Sequence, residues 1–401
     1  MKNNSWPEVS FGSYIDLLTG FPFKSAKYVD DPNEIRLLRG DNIVQGTLRW
    51  NNCKRWNSSE IKQFSKYSLE LNDVVLAMDR PWIEAGLKWA YINESDLPCL
   101  LVQRVSRLRG KNGLLTNFIR YIISDINFTN YVKSVITGIN IPHISGPQIQ
   151  AYQFRLPPVE TQQKIASILS SYDDLLENNT RRIEILEQMA KLVYEEWFVK
   201  FKFPGHENVK IIDDVPEGWE KISLGEVLTL QRGFDLPVKM RKDGTYPIYA
   251  STGINGYHDV AKVKGPGVVT GRSGSLGTVL YVPEDFWPLN TTLWVKEFKN
   301  VGPIYSVHLL SSLQLEQYNG GVAVPTLNRN DVHRIEVLRP PEPILKLFEK
   351  YVTPMCQQIE ILKKQRGKLE KTRDLLLPKL ISGEIDVSDL DIHIRNEFQE
   401  S

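Results

Sequence analysis

The sequence predicts an α+β chain of two similar mixed domains, each followed by a long helix. Three observations carry this. "GINIPHISGPQIQAYQFRLPP" from Gly138 and "GVAVPTLNRNDVHRIEVLRPP" from Gly321 align without a gap at an offset of 183 residues. Upstream, Trp6, Val9, Ser10, Phe11, Gly12, Gly20 and Phe21 match Trp219, Ile222, Ser223, Leu224, Gly225, Gly233 and Phe234 at an offset of 213. After each stretch, apolar residues recur at heptad spacing. Self-similarity of this length marks a structural unit built twice. The difference between the offsets places about thirty extra residues in the first copy.

Within each copy the elements follow in order. A helix is expected to end at Gly138 or Gly321, where glycine suits the left-handed cap conformation. "INIP" and "VAVP" read as short strands, proline holding the residue before it extended. Their apolar positions match: Ile139, Ile141, Ile144 and Ile149 with Val322, Val324, Leu327 and Val332. Ser145 stands three before Gln148, a capping-box spacing, and Asn328 three before Asp331 is a looser version. Strands "YQFRL" and "HRIEVL" then run into Pro157-Pro158 and Pro340-Pro341, which suit the approach to a helix.

The long helices follow. Ile165, Leu169, Tyr172, Leu176, Asn179, Ile183, Leu186, Ala190, Val193 and Trp197 keep a four-three alternation. So do Phe348, Val352, Met355, Ile359, Leu362, Arg366, Leu369, Arg373 and Leu376. Such seams belong to helices that pack on each other, and each would reach about 50 Å. Asn179 either fixes register or faces solvent where the helices splay. Pro378 and Gly383 are stop signals, and "SGEIDVSDLDIHIRNEFQES" reads as a loose acidic tail.

Composition narrows the function classes. The chain has 401 residues, enough for two or three domains. Its three cysteines (Cys53, Cys99, Cys356) and six histidines are dispersed, which favours neither disulfides nor a metal site and suits a reducing compartment. No apolar run reaches the ~18 residues of a membrane span. A cytoplasmic protein is expected, with no membrane partner. Net charge is +1, but nucleic-acid binders can keep positive charge on one face. Arg104 with Arg107, Arg109 and Lys111 is one basic cluster; a solvated surface gives the same pattern.

No catalytic constellation stands out. "GRSGSLG" (Gly271 to Gly277) lacks the lysine and spacing of a phosphate loop and reads as a turn between "GVVT" and "TVLYV". "LPPVE" and "RPPEP" are similar to the Pro-Pro of adenine methyltransferases but lack its flanking residues. Basic, amide and aromatic residues cluster instead in the dissimilar middles. These are Lys54, Arg55, Trp56 and Arg80 in the first copy, and Arg241, Asn255, Tyr257, His258, Arg272, Ser273, Ser275 and Asn290 in the second. Arginine can read guanine and asparagine adenine at base edges, while lysine mostly contacts phosphate. Each alone also suits an ordinary loop.

Longer segments carry a family resemblance. "LPPVETQQKIASILSSYDDLLENNTRRIEILEQMAKLVYEEWF" (Leu156 to Phe198) resembles the central conserved helix of type I restriction-modification specificity subunits, including Glu160, Gln162, Ile165, Leu169, Asp173 and the Trp197-Phe198 ending. "VPEGWEKISLGEV" (Val215 to Val227) resembles the opening of a target recognition domain. "LEKTRDLLLPKLISGEID" (Leu369 to Asp386) resembles the C-terminal helix and its exit.

The resemblance implies recognition domains at 1–155 and 204–338, conserved helices at 156–203 and 339–384, and a tail at 385–401. The helices would pack as an antiparallel coiled coil in a pseudo-two-fold arrangement. Its seam would hold Ile165, Leu169, Tyr172, Leu176, Ile183, Leu186, Phe348, Val352, Met355, Ile359, Leu362 and Leu369. Such a subunit is not an enzyme. It reads a split, asymmetric site on double-stranded DNA and joins two methyltransferase subunits and the nuclease/translocase subunits. S-adenosylmethionine, ATP and Mg serve those partners, and this chain holds no cofactor or metal. Two readers on a rigid spacer would act as a ruler for the gap. The alternatives are an overlooked nuclease or methyltransferase centre, and an orphan scaffold that binds methyltransferases without reading DNA.

Overall fold

The computed structural model describes residues 6–138, 140–321 and 324–395. Ile139, Val322 and Ala323 lie outside the described residues, and the rest of "INIP" and "VAVP" is irregular rather than strand. The chain divides into two compact units, Met1–Asn178 with Arg366–Ser401, and Asn179–Gln365.

In the first unit, strand Glu8–Ser10 leads through α1 (Phe11–Tyr14) into strand Ile15–Thr19. A five-stranded sheet runs Ile15–Thr19, Val105–Gly110, Val74–Ala77, Trp89–Tyr91, Gln45–Gly46. Val74–Ala77 is apolar throughout because both its faces are covered. Val74 and Leu76 join the core under α2 (Thr116–Ser124) and α3 (Ile126–Val135), while Val75 and Ala77 join Leu38 and Leu101 on the opposite side. A smaller sheet orders Cys99–Leu101, Ile35–Leu38 and Arg55–Trp56. After α4 (Gly146–Gln150), strand Gln153–Arg155 pairs antiparallel with Glu8–Ser10, so entry and exit lie side by side where α5 (Val159–Tyr194) begins.

The second unit repeats the plan. Strand Glu220–Ser223, α6 (Leu224–Val227) and strand Leu228–Arg232 open it. Its larger sheet orders Leu228–Arg232, Thr292–Phe298, Gly267–Gly271 and Val279–Val282, with α7 (Pro303–Ser312) packed against it. A smaller sheet orders Gly253–His258, Tyr246–Ala250 and Trp287–Pro288. After α8 (Arg329–His333), strand Glu336–Arg339 returns beside Glu220–Ser223 and α9 (Glu342–Ile381) begins.

Backbone hydrogen bonds show that the middles, dissimilar in sequence, share one frame. Gly20 N–H donates to Val105 O and Gly233 N–H to Thr292 O. Val102 N–H donates to Leu38 O and Leu289 N–H to Tyr249 O. Met78 N–H donates to Arg104 O and Arg272 N–H to Thr291 O. The offset between matched residues therefore falls stepwise: 213 at Gly20, 211 at Leu38, 194 at Met78, 187 at Val102 and 183 at Gly138. The largest step, seventeen residues between Leu38 and Met78, contains Arg55–Trp56 and the turns of helix at Ser58–Tyr67.

In each unit the halves of the long helices run antiparallel. In the second, Glu187 pairs with Lys363 (3.8 Å), while further along α5 Tyr194 packs on the earlier Phe348 (ring centroids 6.2 Å apart). In the first, Lys164 Nζ donates to Ser388 O (2.6 Å) and Asp173 pairs with Arg373 (3.1 Å). Of the seam, Ile165, Leu169, Leu176, Ile183, Phe348, Val352, Ile359 and Leu362 are buried, and Tyr172, Leu186, Met355 and Leu369 half-buried. Asn179 is buried, which removes the reading that it faces solvent. Arg373 is accommodated by Asp173, whose carboxylate also accepts the Tyr121 hydroxyl (3.3 Å).

Three local expectations are corrected. Pro378 lies inside α9, and the stop comes at Gly383 (φ +73°). The tail is not loose over its described part: Val387 is buried, Ile385, Ile392 and Ile394 pack on the first core, and Arg395 pairs with Asp174. Neither Gly138 nor Gly321 ends a helix, since the preceding turns stop at Val135 and Tyr318. Gly138 is left-handed (φ +95°), and Gly321 has no such φ. What the two share is a close approach: a Cβ would lie 2.5 Å from Ile141 O and 2.0 Å from Val324 O.

Candidate nucleic-acid interface

In each unit a turn leaves the centre of the larger sheet and is gripped by the doubled motif. In the second, Gly274 N–H donates to Pro325 O (3.0 Å) and Leu327 N–H to Arg272 O (2.8 Å). In the first, Arg80 N–H donates to Pro142 O (2.6 Å) and Ile144 N–H to Met78 O (2.9 Å). Arg80 and Gly274 are therefore equivalent, and both are left-handed, at φ +46° and +88°. Glycine takes that conformation freely, whereas a residue with a Cβ is disfavoured by about 1–2 kcal/mol. The first unit nevertheless places an exposed arginine there. Arg104, also exposed and left-handed (φ +68°), lies beside it. Asp79 holds the turn between Arg104 (3.7 Å) and His143 Nδ1 (2.7 Å).

The rest of the basic cluster around Arg104 goes elsewhere. Arg107 and Arg109 point to one face of their strand, where Arg107 pairs with Asp16 and Arg109 with the buried Asp73 and with Glu70. Arg104 was legible only as part of that cluster; its backbone conformation singles it out.

The structure separates the other candidates. Trp56 is core: its ring packs on Phe23 (4.8 Å) and Phe64 (5.8 Å), and Nε1 donates to Glu60 (3.0 Å). Arg55 Nη1 donates to Glu34 O (2.6 Å), so it braces a loop, while Lys54 is exposed. His258 is buried, its Nδ1 accepting Lys242 N–H (3.1 Å) and its ring against Trp287 (5.3 Å). Trp56 and His258 thus present no side chain to a partner. Arg241 Nη1 donates to Asn255 O (2.7 Å) and Oδ1 (3.0 Å), uniting two candidates on the flank of strand Gly253–His258, where Tyr257 is exposed.

Arg272, Ser273, Ser275 and Asn290 do come together. Arg272 and Ser273 N–H both donate to Thr291 O, and Arg272 Nη1 approaches Asn290 O (3.4 Å). Asn290 Nδ2 donates to Asp235, which also faces Arg232 (3.6 Å). Ser273 is half-buried and Ser275 exposed at the tip. "GRSGSLG" is a strand–turn–strand element, Gly267–Gly271 pairing antiparallel with Val279–Val282. Each unit by itself thus presents one polar, arginine-bearing turn, and arginine there can donate hydrogen bonds to an anionic partner.

Among the described residues no group of three His, Cys, Asp or Glu could hold a metal, and no helix is long and apolar enough to cross a membrane. Burial pushes the Cys99 thiol up to about 12 and the Cys356 thiol up to about 11, so neither is a thiolate at neutral pH.

The model of the type I restriction modification DNA specificity domain matches residues 24–188 and 216–371. The MjaIX specificity subunit of Methanocaldococcus jannaschii is 28% identical over 329 residues, covering 75% of this chain and 76% of that one. The HindI specificity subunit of Haemophilus influenzae is 21% identical over 471 residues, covering 95% and 100%. The EcoAI specificity subunit of Escherichia coli is 34% identical over 174 residues, 43% of this chain and 28% of that one. The crystal structure of the type I restriction-modification S subunit from M. genitalium superposes with a TM-score of 0.64 at 18% identity, covering 95% of this chain and 97% of that one.

Proposed function

Since the chain belongs to the family of type I restriction-modification DNA specificity subunits, we propose that its two domains each read one half of a split, asymmetric DNA site. It is the non-catalytic, cytoplasmic partner of two methyltransferase subunits and of nuclease/translocase subunits. S-adenosylmethionine, ATP and Mg serve those subunits. The reading surfaces are the Arg80 turn with Arg104 in the first domain, and the Arg272–Ser275 turn with Asn290, Arg241 and Asn255 in the second. Lys54 contacts phosphate.

Arg80 carries the reading. The sister turn makes the same backbone bonds with glycine, so the fold does not require arginine there. A side chain kept at a conformational cost and exposed is explained by what it touches.

The test is Arg80→Gly, co-expressed with the methyltransferase subunit, followed by mapping of methylated adenines. The glycine matches Gly274, so the melting temperature should hold or rise. One position in the first half-site should lose about 1–3 kcal/mol of discrimination, with the second half-site intact. An unchanged first half-site would refute the role of Arg80. A complex that methylates without any sequence preference would favour the orphan scaffold.

A further inference from the structure

In each domain a side chain from a spacer helix stands at the N-terminus of a helix that packs on the larger sheet, α2 in the first and α7 in the second. In α7 the N-cap is Gly302, which has no side chain. Glu349 of α9 fills the vacant place: a Cβ on Gly302 would lie 1.6 Å from its Oε1. Its carboxyl faces the Tyr305 N–H, on the third residue of α7, where an N-cap side chain would stand; burial raises its pKa more than that N–H lowers it, and Oε1 has no hydrogen-bond partner among the described residues. Carboxylates are favoured there by the helix dipole.

The first domain solves the same problem with an amide. The N-cap of α2 is Leu115, equivalent to Gly302 at the offset of 187, and it supplies no capping side chain. Gln162 of α5, fully buried, accepts Leu115 N–H through Oε1 (3.0 Å). Its Nε2 donates to Gly113 O (2.8 Å) and Pro157 O (2.8 Å). In the register of 183, Gln162 corresponds to Leu345 and Glu349 to Ala166. The two side chains therefore stand one helical turn apart in the repeat, Gln162 on the N–H of the N-cap residue of α2 and Glu349 beside the N-cap residue of α7, facing its third N–H.

We propose that Gln162 and Glu349 are positioning residues that lock the angle of each recognition domain on its spacer helix, and so fix the gap between the half-sites without touching DNA. This rests on the split-site reading above. The argument is one of leverage. Helix α7 packs on the strands Gly267–Gly271 and Val279–Val282, which carry the Arg272–Ser275 turn. A polar cap with one geometry restrains rotation of α7 on α9 in a way that non-directional apolar contacts do not. The apolar support remains without it, since Tyr305 packs on Phe198 (5.0 Å) and Phe348 (6.4 Å).

The experiment uses the full chain with its methyltransferase subunit and maps methylated adenines for wild type, Glu349→Ala, Glu349→Gln and Gln162→Leu. Wild type should show one gap. Glu349→Ala and Gln162→Leu should raise methylation at gaps one base pair longer or shorter by about tenfold, the factor that 1.4 kcal/mol of lost restraint represents. Both half-site sequences should stay the same. Glu349→Gln keeps the acceptor, as Gln162 does, and should restore the single gap. If Glu349→Ala and Gln162→Leu keep a single gap at wild-type stringency, or lose base identity in a half-site, the proposal fails. A wild-type complex with no bipartite site at all would instead sink the reading on which it rests.

Discussion

Gly233→Ala is expected to destabilise the second domain by more than about 3 kcal/mol, at the severe end of single substitutions. The added methyl would lie 2.1 Å from Leu289 O and 2.6 Å from Pro288 O, both backbone atoms. It cannot be relieved by rotating a side chain, because the strand Trp287–Pro288 would have to leave its partner. That approach is what lets Gly233 N–H reach Thr292 O (3.1 Å) and Phe234 N–H reach Pro288 O (2.8 Å). Gly20→Ala should do the same to the first domain, where the nearest atom is Val102 O at 2.3 Å. Gly367→Ala is the contrasting case. It lies inside α9 with nothing within 4 Å of a Cβ, and should stabilise by about 0.5–1 kcal/mol. Urea unfolding of the three variants measures all of this. A Gly233→Ala chain with an unchanged midpoint would show that the two segments are not held at contact distance.

These glycines show why part of the fold was legible. Positions where a side chain is excluded keep their residue type in both copies, so Gly20 and Gly233, or Gly138 and Gly321, announce themselves as a repeat. The heptad seams are legible for a similar reason, since a buried stripe admits few residue types. The shared frame of the middles was not legible. It is held by backbone bonds that accept any side chain, so Leu38 can stand where Tyr249 stands and Met78 where Arg272 stands.

The candidate site divides in the same way. Arginine and asparagine in turns were found from residue type alone. Which of them are free depends on partners distant in sequence, such as Asp73 for Arg109 or Glu34 for Arg55. Trp56 beside Lys54 and Arg55 looks like a surface residue until Phe23 and Phe64 close over it. The places of Gln162 and Glu349 at helix N-termini left no local signal either, because each of those helices is contributed by a different part of the chain.

Lengthening both spacer helices should change the gap while leaving both half-sites as they are. Helix α5 has 36 residues and would be about 54 Å long at 1.5 Å per residue. Four residues inserted into each helix, at the level where Ile183 and Leu362 share an apolar cluster, add about 6 Å, or nearly two base-pair rises at 3.4 Å. Because four residues exceed one turn, the insertion also rotates the C-terminal part of each helix by about 40°. A gap longer by one or two base pairs is therefore expected in methylation maps. The inserts need apolar residues that continue the seam, since a four-residue stutter otherwise unwinds the pairing locally. Insertion into α5 alone is the control. It shifts one stripe against the other and should lower stability rather than yield a new gap. If the doubly lengthened chain folds, methylates and keeps its original gap, the helices are not the ruler.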